Sequence, residues 1–176
     1  ATYYNRSIEF QNLISEGNFS SAAKWLESDR LTNKPRNKVI NLLNRAYVSR
    51  MTGNYTQSID DFLEAEKFIE DYNKNFGKEM LSMVTNPMTK PYKVEDFESV
   101  MVNYYQAMNY IDLNRYDEAI IECKRINNKL NELNDKYKDH KNKYQRDAFA
   151  NNLMGMLYEA NKDFNNAFIA YRNAYN

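Results

Sequence analysis

The sequence predicts an all-α fold in which about four helical hairpins stack into a solenoid. A short phrase occurs four times: a hinge residue, an aromatic residue two positions later, and a small residue three positions after the aromatic. A helix pair joined by such a tight turn cannot bury its apolar side alone, so the copies must stack on one another. They are Gly17-Asn18-Phe19 with Ala22, Gly53-Asn54-Tyr55 with Ser58, Asn114-Arg115-Tyr116 with Ala119, and Lys162-Asp163-Phe164 with Ala167.

The composition agrees with long helices around one core. Apolar residues make up 43% and aromatic residues 14% of the 176-residue chain, which has only 4 glycines and 3 prolines. This apolar content is enough for a continuous core, and so few turn-forming residues suit helices with few breaks. We therefore predict a single domain over residues 1–176, as part of a longer natural chain.

The hairpins are predicted over residues 6–29, 37–76, 97–140 and 147–175, with an insert over 77–96. In the first hairpin Ser20 is the predicted N-cap of the second helix, since its hydroxyl can accept a hydrogen bond from the first turn. The second helix of the second hairpin extends beyond the repeat and is predicted to end at Gly77. Its apolar residues recur at intervals of three and four: Phe62, Ala65, Ile69, Tyr72 and Phe76.

The insert contains a turn-rich loop with two prolines, Pro87 to Tyr92, which is either functional or a plain excursion. Asp96 is predicted to start the next helix. The second helix of the third hairpin also extends beyond the repeat, either as a protruding arm or docked on the extension that follows Phe62. Docking is favoured because both apolar stripes lack a partner. The stripe of the third hairpin contains Ile126, Leu130, Leu133, Tyr137, His140 and Tyr144.

The fourth copy resembles the tetratricopeptide (TPR) helical hairpin. The matching residues are Met154-Gly155, Tyr158, Phe164, Ala167, Tyr171 and Ala174. The resemblance implies that Gly155 faces Ala167 on the next helix and lets the two backbones approach closely. The third copy replaces the hinge glycine by Asn114, which tolerates the left-handed conformation, and the second has Ser58 in place of the usual alanine.

Charge and composition argue against several functions. The formal net charge is zero, so the sequence lacks the basic surface of a nucleic-acid-binding protein. No apolar run approaches the length of a transmembrane helix. Cys123 lies where a packed apolar residue is expected and far in sequence from His140, the only histidine. We find no catalytic, cofactor-binding or metal-binding motif and predict that the protein is not an enzyme.

About the last hundred residues resemble a narrower family, uncharacterised bacterial TPR proteins of which many are envelope lipoproteins. This resemblance implies an exported protein of the cell envelope, facing the periplasm or anchored in the outer membrane, with a lipid-bearing cysteine before Ala1. It supplies no activity. The residues that carry it include Pro91-Tyr92, Asp96-Phe97-Glu98, Tyr105-Gln106-Ala107, Tyr116-Asp117-Glu118-Ala119, Asp147-Ala148-Phe149-Ala150, Gly155-Met156-Leu157-Tyr158-Glu159 and Tyr171-Arg172-Asn173-Ala174.

In TPR arrays the functional surface is usually the concave side, which is lined by the first helix of each pair. On this template the predicted lining is rich in Tyr, Met and Asn, which suits an extended peptide or an amphipathic helix of a protein partner. We therefore predict a non-catalytic scaffold. The alternatives are that these residues belong to the core, or that the tyrosines bind a glycan or small ligand. The predicted contact residues are Asn44, Tyr47, Arg50, Tyr104, Tyr105, Met108, Asn152 and Met156, together with Leu43, Phe149 and Leu153.

Overall fold

A computed structural model describes residues 3–28, 37–79, 92–137 and 147–175 of the chain. These residues form eight α-helices and contain no strand, which confirms the all-α class. The helices are α1 Tyr3–Ser15, α2 Phe19–Ser28, α3 Lys38–Met51, α4 Tyr55–Glu79, α5 Asp96–Asp112, α6 Tyr116–Lys136, α7 Ala148–Ala160 and α8 Phe164–Tyr175.

Consecutive helices pair into TPR-like hairpins, and the hairpins belong to two compact units. The first unit, Ala1–Val94, contains α1 to α4, in which α2 contacts both α1 and α3. The second unit, Glu95–Asn176, contains α5 to α8, in which α6 contacts both α5 and α7. Within each unit the second helix of one hairpin therefore packs on the first helix of the next, as stacked repeats require. The single domain over 1–176 stays a prediction.

Each hairpin turns at a residue with left-handed backbone. The φ angle is 71° at Gly17, 81° at Gly53, 58° at Asn114 and 60° at Lys162. The prediction that Asn114 replaces the hinge glycine is confirmed. In every turn the hinge N–H bonds the carbonyl three residues back and the next N–H bonds the carbonyl five residues before it, as in a Schellman motif. The bonds that span five residues are each 2.8 Å long. They run from the N–H of Asn18 to the carbonyl oxygen of Leu13, and likewise from Asn54 to Ser49, Arg115 to Tyr110 and Asp163 to Tyr158.

The residue after the hinge caps the next helix in three of the four turns. The side-chain oxygens of Asn18, Asn54 and Asp163 each accept a backbone N–H from three residues further on, at 3.3, 3.4 and 3.2 Å. These bonds satisfy N–H groups that have no partner inside the helix. The predicted N-cap at Ser20 was wrong, because α2 already begins at Phe19 and Asn18 caps it.

In the first unit α1, α2 and α3 share an apolar cluster. A hydrogen bond from a serine hydroxyl connects α4 to α3. Phe10, Ala22, Leu26 and Val48 form the buried part of the cluster. Ser58, at the small-residue position of the repeat phrase, is fully buried and donates its hydroxyl to the backbone oxygen of Ala46 at 2.7 Å. The hydroxyl in place of alanine thus joins α3 to α4 by a buried hydrogen bond.

Helix α4 extends past its predicted end. The helix continues through Gly77 to Glu79, so the predicted end was wrong. Phe62 and Ala65 are buried and Ile69 is half-buried. The side chains of Tyr72 and Phe76 lie outside the described part of the chain, as does the predicted loop over 87–92 except for Tyr92.

In the second unit the described part of the α6 extension packs against its neighbours and does not protrude as an arm. Ile126, Leu130 and Leu133 are buried in one cluster with Val100 of α5 and Ala150 of α7. The helix ends at Lys136, and the predicted continuation through His140 and Tyr144 lies outside the described residues. Docking of this extension on α4 stays a prediction.

Gly155 lies directly against an aromatic ring of the next helix. The atoms nearest to a Cβ placed on it belong to the ring of Tyr171, with Cδ1 and Cε1 at 2.5 Å and Cζ at 2.9 Å. The missing side chain of Gly155 therefore makes room for the Tyr171 ring on α8. The predicted close approach to Ala167 stays a prediction. The Tyr171 hydroxyl donates to the Glu159 carboxylate at 2.7 Å, which holds the ring over α7.

We predict that Lys162→Gly stabilises the protein by about 1 kcal/mol, because a lysine pays a steric cost in the left-handed region that glycine does not. Gly53→Ala should have the opposite effect and lower the free energy of unfolding by about 1 kcal/mol. No heavy atom lies within 4 Å of a Cβ at Gly53, so that loss would come from the backbone alone. Urea unfolding measures both, and a Lys162→Gly variant less stable than wild type would contradict the assignment.

We predict that the effect of Gly155→Ala changes sign with residue 171. In the Tyr171→Ala background the substitution should stabilise by about 1 kcal/mol, because alanine favours a helix interior over glycine. In wild type it should destabilise, because the new methyl group displaces the Tyr171 ring. A double-mutant cycle by thermal unfolding measures the coupling, and additive effects would show that the ring is not the partner of Gly155.

Candidate functional site

The second unit exposes an apolar stripe along α5. Phe97, Met101, Tyr104, Tyr105 and Met108 recur at intervals that place them on one side of the helix. Phe97 and Met101 are exposed, and the other three side chains are half-buried. Large apolar side chains that remain in water along one side of a helix are typical of an interaction surface.

A second set of exposed side chains lies on α7. Phe149 is 57% and Met156 is 47% exposed, and Asn152 between them is exposed as well. The three residues follow one another at intervals of three and four, so they too share a side of their helix. Leu153, predicted to line the same surface, is buried in the core instead.

Tyr104 connects the two helices. Its ring centroid is 5.8 Å from that of Phe149, and its hydroxyl donates to the carboxylate of Asp147. The other oxygen of Asp147 accepts the N–H of Ala150 at 3.0 Å and so caps α7. Burial, and then the neighbouring Asp147 carboxylate, raises the pKa of Tyr104, so the hydroxyl keeps its proton and acts as a donor.

We call this surface the α5–α7 face. It contains Phe97, Met101, Tyr104, Tyr105, Met108, Phe149, Asn152 and Met156. All of these except Phe97 and Met101 were predicted. The two missed residues continue the same periodic stripe toward the start of α5, which was the available signal.

The predicted contact residues of the first unit lie on α3. Tyr47 packs edge-on against Phe19 with ring centroids 6.2 Å apart, and it contacts the apolar cluster of α1 to α3. The guanidinium of Arg50 lies 5.6 Å from the ring centroid of Tyr55. Leu43 and Asn44 are half-buried. Tyr47 therefore takes part in the packing of the first unit to a greater extent than the exposed aromatic side chains of the α5–α7 face do.

The first unit also contains a polar groove that the sequence did not reveal. Its volume is about 570 Å³, and its walls are formed by α2, α3 and the start of α4. On α3 the groove lies on the side opposite Arg50, since Asn41 and Arg50 are nine residues, or about two and a half turns, apart. The lining residues are Ala23, Leu26, Glu27, Asn41, Arg45, Val48, Ser49, Thr52, Asn54 and Gln57.

The described residues offer little reactive chemistry. Cys123 is fully buried, and burial raises the pKa of its thiol to about 12, so it is protonated and a poor nucleophile at neutral pH. In the described ranges no three His, Cys, Asp or Glu side chains come together in a way that could hold a metal ion. None of the described helices has the length and apolar character needed to cross a membrane.

Comparisons with known proteins add little to this description. No protein-family model and no curated protein matches the chain. Among solved structures, a chain described as MamA MSR-1 C2 is similar, with 14% sequence identity and a TM-score of 0.34 over 96% of this chain and 92% of that chain. At this score the likeness supports no argument, so the TPR-like fold is assigned from the hairpins themselves.

We predict that Tyr104→Phe lowers the free energy of unfolding by about 1–2 kcal/mol, because it removes a hydrogen bond to a carboxylate while keeping the ring contact with Phe149. Tyr175→Phe is the matched control, since Tyr175 is 91% exposed. Denaturant unfolding measures both. Equal stability of the two variants would mean that the Tyr104 hydroxyl does not hold α5 to α7.

Proposed function

We propose that this chain is a non-catalytic protein-interaction scaffold that binds an amphipathic helix or an apolar peptide segment on the α5–α7 face. The observation that carries the proposal is the exposure of Phe97 and Met101 on α5 and of Phe149 and Met156 on α7, two helices that the contact between Tyr104 and Phe149 joins. Burying such side chains against a partner is favourable in proportion to the apolar area removed from water. A helix with apolar residues at intervals of three and four has a matching surface.

The chemistry of the face favours a peptide over a rigid small molecule. Methionine side chains are flexible and can adapt to different apolar partners, as at other surfaces that accept helices. Asn152, which lies between Phe149 and Met156 along α7, can pair with polar groups of a bound segment. Asn44, Tyr47 and Arg50 on α3 stay predicted contact residues of the first unit.

The glycan alternative has less support. A sugar-binding platform needs a flat aromatic ring open to solvent, whereas the Tyr104 ring contacts Phe149 and the Tyr47 ring contacts Phe19. Both rings are half-buried. A glycan array with clear hits that are lost in Tyr105→Ala would favour this alternative instead.

We further propose a location in the bacterial cell envelope, with a protein partner there. Its support is the sequence resemblance of the last hundred residues to envelope TPR lipoproteins. Metabolic labelling of the natural full-length protein with a radioactive fatty acid, followed by membrane fractionation, tests this location. Absence of label together with recovery in the cytoplasmic fraction would contradict it and leave the binding proposal untouched.

We predict the outcome of selecting a displayed library of random helical peptides for binding to the full chain. The enriched peptides should carry apolar residues at intervals of three and four. Met156→Glu should weaken their binding about tenfold or more, because it places an unpaired charge in the contact. Ile169→Glu on α8 is the matched control, since Ile169 is 45% exposed against 47% for Met156. Titration of a labelled peptide measures both affinities. Equal losses in the two variants, or no enriched peptides, would contradict the proposal.

A further inference from the structure

Helix α6 shows which side of a second helix holds the hairpin that follows it. Ile120 on this side is 6% exposed, and the residues four and seven positions after it both contact α7. The Asn127 amide donates to Asn151 at 3.2 Å, and the Lys124 ammonium lies 5.8 Å from the ring centroid of Tyr158. Residues at these intervals share one side of a helix, so Ile120, Lys124 and Asn127 form the side that faces α7.

The equivalent side of α8 is open to water. Phe168, Arg172 and Tyr175 stand at the same distances from the positive-φ residue of their turn as the three α6 residues do from theirs. Phe168 is 67% and Tyr175 is 91% exposed, and Arg172 is exposed as well. Positions that bury an interface on α6 are therefore exposed aromatic and cationic residues on α8.

The aromatic residue that begins each of these helices shows the same contrast. In the first unit Phe19 of α2 packs against Tyr47 of the following hairpin, with ring centroids 6.2 Å apart. Its equivalent on α8, Phe164, is 65% exposed. Exposed aromatic residues gathered on one side of a helix are typical of an interaction surface. We call this surface the α8 side; it contains Phe164, Phe168, Arg172 and Tyr175.

A pair of neighbouring residues shows how far a covering helix reaches. Ile121, next to the buried Ile120, stays 49% exposed on α6 although α7 packs on that helix. Ile169, next to Phe168, is the equivalent of Ile121 and is 45% exposed. A helix that covered α8 in the same way would bury Phe168 and leave Ile169 in water.

We propose that a second copy of this chain covers the α8 side, with the two α8 helices antiparallel about a twofold axis. Such a contact requires a surface that complements itself. In this pairing Phe164 lies opposite the partner's Tyr175, and Phe168 lies opposite the partner's Arg172. Rings then meet rings at both ends, and each guanidinium lies over an aromatic ring, which is favourable. The position of Arg172 already has this chemistry on α6, where Lys124 lies over Tyr158.

The first helix of another copy fits the α8 side less well. On α3 the residues that contact the cluster shared with α2 are Tyr47 and Val48. The equivalent residues of α1 are Gln11 and Asn12, and both are exposed. A contact from α8 to α1 would bury these amides against aromatic rings, which costs free energy. It would also repeat without closing and build a filament, whereas the twofold pairing ends at a dimer.

The size of the α8 side sets the expected strength of the dimer. An aromatic side chain buries about 150–250 Å² when fully covered, so the exposed parts of these three supply about 500 Å² from each copy. A total of about 1,000 Å² is at the lower end for a specific interface. We therefore expect a reversible dimer with a dissociation constant in the micromolar range.

Sedimentation equilibrium of the full chain from micromolar to millimolar concentration should show an equilibrium between monomer and dimer. Phe168→Glu should weaken the dimer about tenfold or more, because each copy then places a charge against the other. Ile169→Glu, the adjacent exposed residue, is the matched control and should leave it unchanged, and circular dichroism measures the folding of both. A monomer at every concentration, open-ended oligomers, or equal weakening by both variants would overturn the proposal.

Met156→Glu separates this surface from the α5–α7 face. The substitution should leave the dimer unchanged, because Met156 is not part of the α8 side. Loss of the dimer in Met156→Glu together with its persistence in Phe168→Glu would place the contact on the α5–α7 face and overturn the assignment. Peptide binding is measured separately, so the failure of one proposal leaves the other standing.

Cysteine cross-linking tests the direction of the pair. In the antiparallel arrangement position 164 lies beside the partner's position 175, whereas position 164 of the two copies would be about 16 Å apart along the helix axes. A short bismaleimide should therefore link a mixture of Phe164→Cys and Tyr175→Cys but neither variant alone. The natural Cys123 is fully buried and out of reach of the reagent. Linkage of either variant to itself would contradict the antiparallel pairing.

Discussion

The whole arrangement depends on how the chain reverses direction between paired helices. At each of the four turns one residue adopts a positive φ, and the same two backbone hydrogen bonds close the end of the first helix. These bonds satisfy carbonyl groups that the helix itself cannot, and the aromatic residue that follows begins the second helix. Because the geometry of the turn is nearly constant, it restricts how the two helices that it joins can pair. Side-chain packing then determines only which residues fill the contact between the two helices.

The local part of this fold could be predicted from the sequence and the tertiary part could not. Hinges at Gly17, Gly53 and Asn114 follow from residue types that tolerate left-handed backbone, and helical periodicity is equally local. The partner of Gly155 is different, since only the packed structure shows that the Tyr171 ring occupies the space. Nothing in the spacing of residues 155, 167 and 171 distinguishes one contact from another.

The burial of polar side chains could not be predicted from the sequence either. Asn103 looks like a surface residue in the sequence, yet it is fully buried and its amide donates to Glu122 at 2.7 Å, which also pairs with Arg125 at 3.2 Å. In the sequence, α5 looks amphipathic because residues such as Asn103 are assigned to its polar, solvent-facing side. In the structure Asn103 is buried instead. The α5–α7 face was largely predicted because it is one periodic stripe per helix. The groove of the first unit was missed because its residues come from three helices and share no local pattern.

The left-handed lysine at position 162 has a consequence for how repeats of this kind change over time. Its turn makes the same hydrogen bonds as the glycine turns, so the hydrogen-bonded backbone, and not the hinge side chain, preserves the reversal. Substitutions at the hinge are then tolerated at a modest energetic cost, and the sequence signature can fade while the architecture persists. A search for repeats that requires glycine would find only two of the four hairpin turns in the described part of the chain.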